Sequence, residues 1–190
     1  MSLLLYLVGA PGVGKTTVMS ALTAGYGREP QSGSVPHDRL TVNGGANDGA
    51  CRAVEVGRRR GTFSGTDALS MSIQPKAVQW IAQRPHRLVL AEGARLANEG
   101  FLRASAAAGY RVLLVHLDAP AEVLADRRRT RGSSQNPGWM RGAETRARNI
   151  AARMELEATV LRLDANTHPN TLAKEITAAD PELEGLLCWS

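Results

Sequence analysis

The chain holds only two cysteines, Cys51 and Cys188. That is too few for a disulfide framework or a structural zinc site, and a reducing, cytoplasmic setting is the expectation. Its four histidines, His37, His86, His116 and His168, are scattered without the spacing of a metal site. No apolar run approaches the ~20 residues that cross a bilayer, so no membrane partner is expected. The apolar start, MSLLLYLVGAPGVGKT, lacks a basic first segment and a small-residue cleavage site, and reads as a buried strand rather than a leader. Glycine is frequent but has no period, which excludes a collagen-like chain. An N-K-x-D element, the base reader of GTPases, is missing. Lysine is scarce too: Lys15, Lys76 and Lys174 stand against twenty arginines.

What is present fits one compact unit. A length of 190 residues predicts a single domain over 1–190, and 43% hydrophobic with 22% charged residues is ordinary for a globular protein. The net charge of +5 is unevenly spread. Residues 127–153 carry eight arginines and one acid, Glu144, whereas residues 154–190 carry two basic and seven acidic groups. Such a basic block attracts polyanions, either nucleotide phosphates or a nucleic-acid backbone.

Apolar runs at 2–8, 51–58, 87–91, 110–117 and 159–163 predict strands. Helical patterns fall at 17–24, 75–82, 96–108, 120–129, 143–158 and 170–177. Residues 26–50 are rich in Gly, Pro, Ser and Asn and read as an irregular excursion with a short strand within 35–42. Residues 61–72 and 132–142 read as loops. Strands alternating with helices predict an α/β fold with a largely parallel sheet.

Gly9-Ala-Pro-Gly12-Val13-Gly14-Lys15-Thr16 matches G-x-x-x-x-G-K-[ST]. Its glycines allow a tight turn whose N–H groups point at phosphate oxygens, and the helix that follows, from Thr17, adds its positive end. Lys15 is expected on the β- and γ-phosphates and Thr16 on Mg²⁺, which makes ATP and Mg²⁺ the expected cofactors. The loop follows an apolar strand and opens a helix, the context the motif needs. Size and an arginine-rich loop favour a small kinase over a motor ATPase. Arg127 and Arg131 lie four apart on one helix face, where two guanidinium groups can clamp a migrating phosphoryl group. A lid over about 127–145 would close over ATP and exclude water.

A kinase needs a group that orients or deprotonates the attacking hydroxyl. Asp67, in a polar loop, and Glu92, at a strand end, are the candidates, and their roles are interchangeable on sequence alone. Glu92 is also a candidate for the metal shell. Ser64, Thr66, Arg95, Gln135, Asn136 and Trp139 are candidate acceptor contacts, Trp139 for stacking and the amides for base edges. Arg58, Arg59 and Arg60 extend the basic track or form a solvated turn.

The phosphate loop, the strand ending Leu117-Asp118-Ala-Pro and the arginine helix resemble the small P-loop nucleotide kinases over most of residues 1–178. The resemblance implies a three-layer fold with a five-stranded parallel sheet, phosphoryl transfer from ATP with Mg²⁺, and a position near adenine for residues 164–169. Thymidylate kinases follow their third strand with Asp-Arg-aromatic, where this chain has Glu92-Gly-Ala-Arg95-Leu-Ala-Asn98. A narrower resemblance rests on Gly65-Thr66-Asp67-Ala-Leu-Ser-Met71, on Glu92 to Asn98, and on Gln135-Asn136-Pro-Gly-Trp139. These look like the phage-type 5-hydroxymethyl-deoxyuridine DNA kinases, which implies a DNA partner, a thymidine hypermodification pathway and the host cytoplasm. Three readings follow: that DNA kinase, a nucleoside monophosphate kinase on free nucleotides, and a nucleotide-dependent DNA-binding module. Salt dependence separates the first two, and the third makes no phosphorylated product.

Overall fold

The computed structural model describes residues 2–42, 53–58, 64–130, 132 and 136–187. Cys51, Arg59, Arg60, Arg131, Gln135 and Cys188 lie outside them. Among the described residues, no helix is long and apolar enough to cross a membrane.

Among the described residues the sheet has seven strands: β1 (Ser2–Gly9), β2 (Tyr26–Gln31), β3 (His37–Val42), β4 (Ala53–Val56), β5 (Leu88–Glu92), β6 (Tyr110–Asp118) and β7 (Thr159–Asp164). Their spatial order is β2-β3-β4-β5-β1-β6-β7. Strands β4, β5, β1, β6 and β7 run parallel. The hairpin β2–β3 extends that sheet antiparallel to β4. The expectation of five strands is therefore corrected to seven. The missed strand β2, Tyr-Gly-Arg-Glu-Pro-Gln, has no β-branched residue and no apolar alternation. It lies at the sheet edge, where Pro30 needs no ladder partner for its nitrogen.

The described residues also form seven α-helices: α1 (Lys15–Leu22), α2 (Gln74–Ala82), α3 (Glu99–Ala107), α4 (Ala121–Thr130), α5 (Pro137–Met154), α6 (Pro169–Ala179) and α7 (Pro181–Leu186). Side chains alternate along a strand, so β1 buries both faces. Leu3, Leu5 and Leu7 pack with Met19 and Leu22 of α1, Leu172 and Ile176 of α6, and Leu183 of α7. Leu4, Tyr6 and Val8 pack with Ala77 and Ile81 of α2, Phe101 of α3, and Ile150 and Met154 of α5. Two helical layers on one sheet give the three-layer α/β arrangement.

Helix α5 begins inside the stretch expected as a loop. Asn136 Oδ1 accepts from Gly138 N at 2.8 Å and Trp139 N at 3.4 Å, and Pro137 occupies the first turn. Within the stretch expected as a lid, the described residues 127–130 end α4 and 137–145 form the first turns of α5. Conversely, α3 starts later than expected. Asn98 caps it by accepting from Phe101 N at 3.0 Å, which leaves 93–97 as a loop.

The hairpin is tied to the parallel strands by a half-buried arginine. Arg28 Nη2 lies 2.7 Å from Glu55 Oε2 and donates to Thr23 Oγ1 at 2.6 Å. Its Nη1 lies 3.5 Å from Asp38 Oδ2. A guanidinium among two carboxylates offsets part of the cost of burying either sign alone.

Candidate active site

The parallel strands finish along one edge of the sheet, and ligands of such sheets bind in that crevice. The glycine loop lies there, between β1 and α1. Gly12 and Gly14 have φ of 84° and 108°, which favours glycine. At Gly9 a Cβ would lie 2.4 Å from the carbonyl oxygen of Leu117 on β6, so only glycine lets the loop leave the sheet there. Helix α1 has no acidic residue in its first turn and no side-chain cap. Its first N–H groups and positive end suit an anion. Lys15 Nζ donates to the carbonyls of Gly9 at 3.0 Å and Ala10 at 3.1 Å, so the ammonium curls back over the loop.

Thr16 Oγ1 donates to Glu92 Oε1 at 2.8 Å and lies 3.2 Å from Ser64 Oγ, and Ser64 donates to the same carboxylate oxygen at 3.5 Å. Two hydroxyls and a carboxylate make a hard-oxygen cluster. Mg²⁺ prefers such donors, few from protein and the rest from phosphates and water. The residues fit the ion, which would rest on Thr16 and Glu92; when bound with ATP it neutralises charge on the phosphate oxygens. Glu92 is 2% exposed. Burial pushes its carboxyl above the usual range, against the Thr16 hydrogen bond and the Lys15 charge, which lower it.

That shift has a consequence for stability. The folded chain holds a proton at Glu92 more readily than the unfolded chain does. Its favourable contribution is therefore present below the unfolded pKa and lost as pH rises through the folded value. Glu92→Gln is expected to raise the melting temperature at pH 7 while lowering phosphoryl transfer. The gap should narrow as the pH falls toward about 4, the ordinary carboxylate range. Thermal melts at a series of pH values check this, and a lower melting temperature at pH 7 contradicts it.

Opposite Glu92 stands a short 3-10 helix, Gly65–Ala68. Thr66 Oγ1 donates to the Glu92 carbonyl at 2.9 Å. Tyr6, fully buried on β1, donates its hydroxyl to Gly93 O at 3.1 Å and lies 3.2 Å from Thr66 Oγ1. Burial pushes the Tyr6 phenol well above its ordinary value. Asp67 Oδ1 accepts from Ala94 N at 2.8 Å and Arg95 N at 3.2 Å, and Arg95 Nη2 donates back to the Asp67 carbonyl at 3.2 Å. Asp67 thus caps the loop after β5 with one oxygen. Its Oδ2 accepts no hydrogen bond among the described residues.

The arginines of α4 take different tasks. Arg127 Nη1 donates to Val13 O at 2.8 Å, and Nη2 to Ala165 O at 2.9 Å. It links the glycine loop to the segment after β7. Arg129 pairs with Asp126 at 2.5 Å. Arg128 lays its stem on the loop, with Cγ 3.1 Å from where a Gly12 Cβ would stand. Trp139 is 48% exposed at the start of α5.

A family model described as P-loop Nucleotide Kinase3 matches residues 1–176. The chain belongs to this P-loop nucleotide kinase family. Membership makes it a kinase rather than a module that only binds, and ATP is the phosphoryl donor such a kinase uses. No curated protein matches the chain. Among solved structures, an unliganded sugar kinase from Janibacter sp. HTCC2649 matches with 15% identity, a TM-score of 0.51 and 100% of both chains covered. A tunicamycin resistance protein from Deinococcus radiodurans matches with 17% identity and a TM-score of 0.51, covering 94% of this chain and 95% of its own. At those identities the likeness is one of fold.

The structure of this kinase brings Lys15, Thr16, Ser64, Thr66 and Glu92 together and sets Asp67 of the 3-10 helix against Arg95 of the loop after β5. Asn136 is taken up as a helix cap. Tyr6 was missed by sequence reasoning, although a tyrosine inside an apolar strand needs a partner for its hydroxyl and so signals a polar contact. His37 and His86, scattered in sequence, meet around Trp80, with ring centroids 5.2 Å apart.

Proposed function

We propose that this kinase phosphorylates the 5-hydroxymethyl group of deoxyuridine in DNA. The acceptor oxygen bonds to the γ-phosphorus, the bond to the β–γ bridging oxygen breaks, and ADP leaves. Asp67 Oδ2 takes the hydroxyl proton, and Lys15 offsets charge on the phosphates. Arg127 holds the loop and the segment beyond β7 in register, and Arg131 meets the transferred group. Ser64, Thr66, Arg95, Gln135 and Trp139 contact the acceptor, Trp139 by stacking.

The observation that carries the reading is the outer face of α5. This helix ends shortly before β7 begins, so its first turn lies at the edge where the parallel strands finish. From Trp139 there, exposed Arg146 and Arg153 follow at seven-residue steps on the same side, and exposed Arg141 and Arg148 form a second row on the other flank; Arg148 pairs with Glu144 and Arg153 with Glu99. A basic track that starts at an exposed aromatic suits a strand whose base is lifted out of the stack.

The test incubates the protein with ATP, Mg²⁺ and DNA containing 5-hydroxymethyl-deoxyuridine, beside free deoxynucleotides. Digestion and mass spectrometry then locate the phosphate. Product on DNA is expected, with affinity falling steeply with salt because phosphate contacts release counterions. Product on free nucleotides alone overturns the polymer substrate. The match to a nucleotide kinase family favours that second reading.

A further inference from the structure

Beside the hairpin opens a pocket of about 360 Å³, lined by Arg28, Gln31, Ser32, His37, Asp38 and Arg58 among others. It adjoins the site through a chain of close contacts. Gly57, in its wall, follows β4, and Arg58 N donates to Gly65 O at 3.2 Å. A Cβ on Gly57 would lie 2.0 Å from Gly65 O, and a Cβ on Gly65 would lie 2.7 Å from Glu92 Oε1. Among the described residues, the backbone of Gly65 lies between the pocket wall and the carboxylate that holds Thr16. Adjacent strands are about 4.8 Å apart, so the end of β4 lies roughly 10 Å from the glycine loop at the end of β1.

The lining says what belongs there. Asp38 is buried and held in place by Arg28. Its carboxylate, paired with Arg28, has an oxygen that can accept from an N–H group. Gln31 and Ser32 add neutral donors and acceptors, and Pro30 an apolar wall. Arg58 has no ion pair among the described residues and stands next to the chain leading to Gly65. The volume is at the small end of ligand pockets, which suits one nucleoside and excludes a duplex.

We infer that this pocket takes the pyrimidine base of the acceptor and directs its hydroxymethyl group over Gly65 toward Glu92 and Asp67. The inference rests on the kinase reading above and adds the place where the base is read; Trp139, on α5 beside β1 and β6, then stacks on a neighbouring base of the strand rather than on this one.

Ser32 is exposed in the hairpin turn and makes no described bond. Ser32→Phe therefore fills the pocket from its rim without opening the fold. Steady-state kinetics of the full chain, with whichever acceptor it turns over, should show the acceptor KM rising at least tenfold. The ATP KM should change less than twofold. Asp38→Asn keeps the shape but replaces a carboxylate acceptor, and is expected to raise the acceptor KM as well, with its melting temperature recorded to exclude unfolding. An acceptor KM within twofold of wild type for Ser32→Phe overturns the pocket assignment, as does an equal rise in the ATP KM. The choice between DNA and free nucleotide as acceptor is read separately from the wild-type enzyme, so the two readings fail independently.

Discussion

Replacement of Lys15 by alanine is expected to reduce phosphoryl transfer by a factor of about 10³ or more, from the loss of one preorganised charge at the transferring group. Among the described residues, no other lysine stands at the loop. Lysine is rare in this chain, and the two other lysines lie at Lys76 in α2 and Lys174 in α6. The ammonium of Lys15 is held over the glycine loop by the Gly9 and Ala10 carbonyls. Arg127 is committed to Val13 O and Ala165 O, and Arg129 to Asp126. Alanine is the best helix former, so α1 should survive the change. ADP release in the presence of acceptor measures the loss, and near wild-type turnover contradicts the assignment of this loop to phosphate.

Asp67→Asn separates chemistry from architecture. Asparagine retains a carbonyl oxygen where Oδ1 stands, so it can still accept from Ala94 N and Arg95 N and keep the loop after β5 in place. It loses the carboxylate at Oδ2, the proposed acceptor of the hydroxyl proton. Turnover is expected to fall about 10²–10⁴-fold, the usual worth of a general base. ATP affinity should change little, because Asp67 touches the acceptor side rather than the glycine loop. Asp67→Ala, by contrast, should also lower stability by about 1–3 kcal/mol, since it leaves two loop N–H groups without their acceptor. Unchanged product formation in Asp67→Asn removes Asp67 from the chemistry and leaves it as a loop cap. A parallel loss of ATP binding makes its role structural.

These two variants probe opposite sides of Glu92. Lys15 and Thr16 approach it from the glycine loop, and Thr66 and Gly65 from the 3-10 helix. Glu92 is buried where it meets both. A buried carboxylate is a source of instability, and its retention there fits a site that gives up some stability for function.

The local parts of this kinase were legible in its sequence. The apolar run of β1, the glycine loop and the start of α1 are adjacent in the chain, and each is determined by residues within a few positions. The parallel strands β5 and β6 were readable for the same reason, because both of their faces are mostly buried and their apolar runs are nearly continuous, and the exposed strand β7 showed itself through Val160, Leu161 and Leu163. Strand β2 was not, since an exposed edge strand needs only a partner's backbone. Helix α5 was placed too late because Asn136 and Pro137 read equally as loop or as a helix start, and only the Asn136 cap decides. Tertiary structure alone decided the site's inner wiring: Tyr6 beside Thr66, Asp67 under the loop after β5, Arg127 between Val13 and Ala165, and Arg28 between Asp38 and Glu55. Each of these joins segments distant in the chain, and such hydrogen bonds and ion pairs leave no periodic trace. They form only where the packing of the sheet brings their partners within about 3 Å.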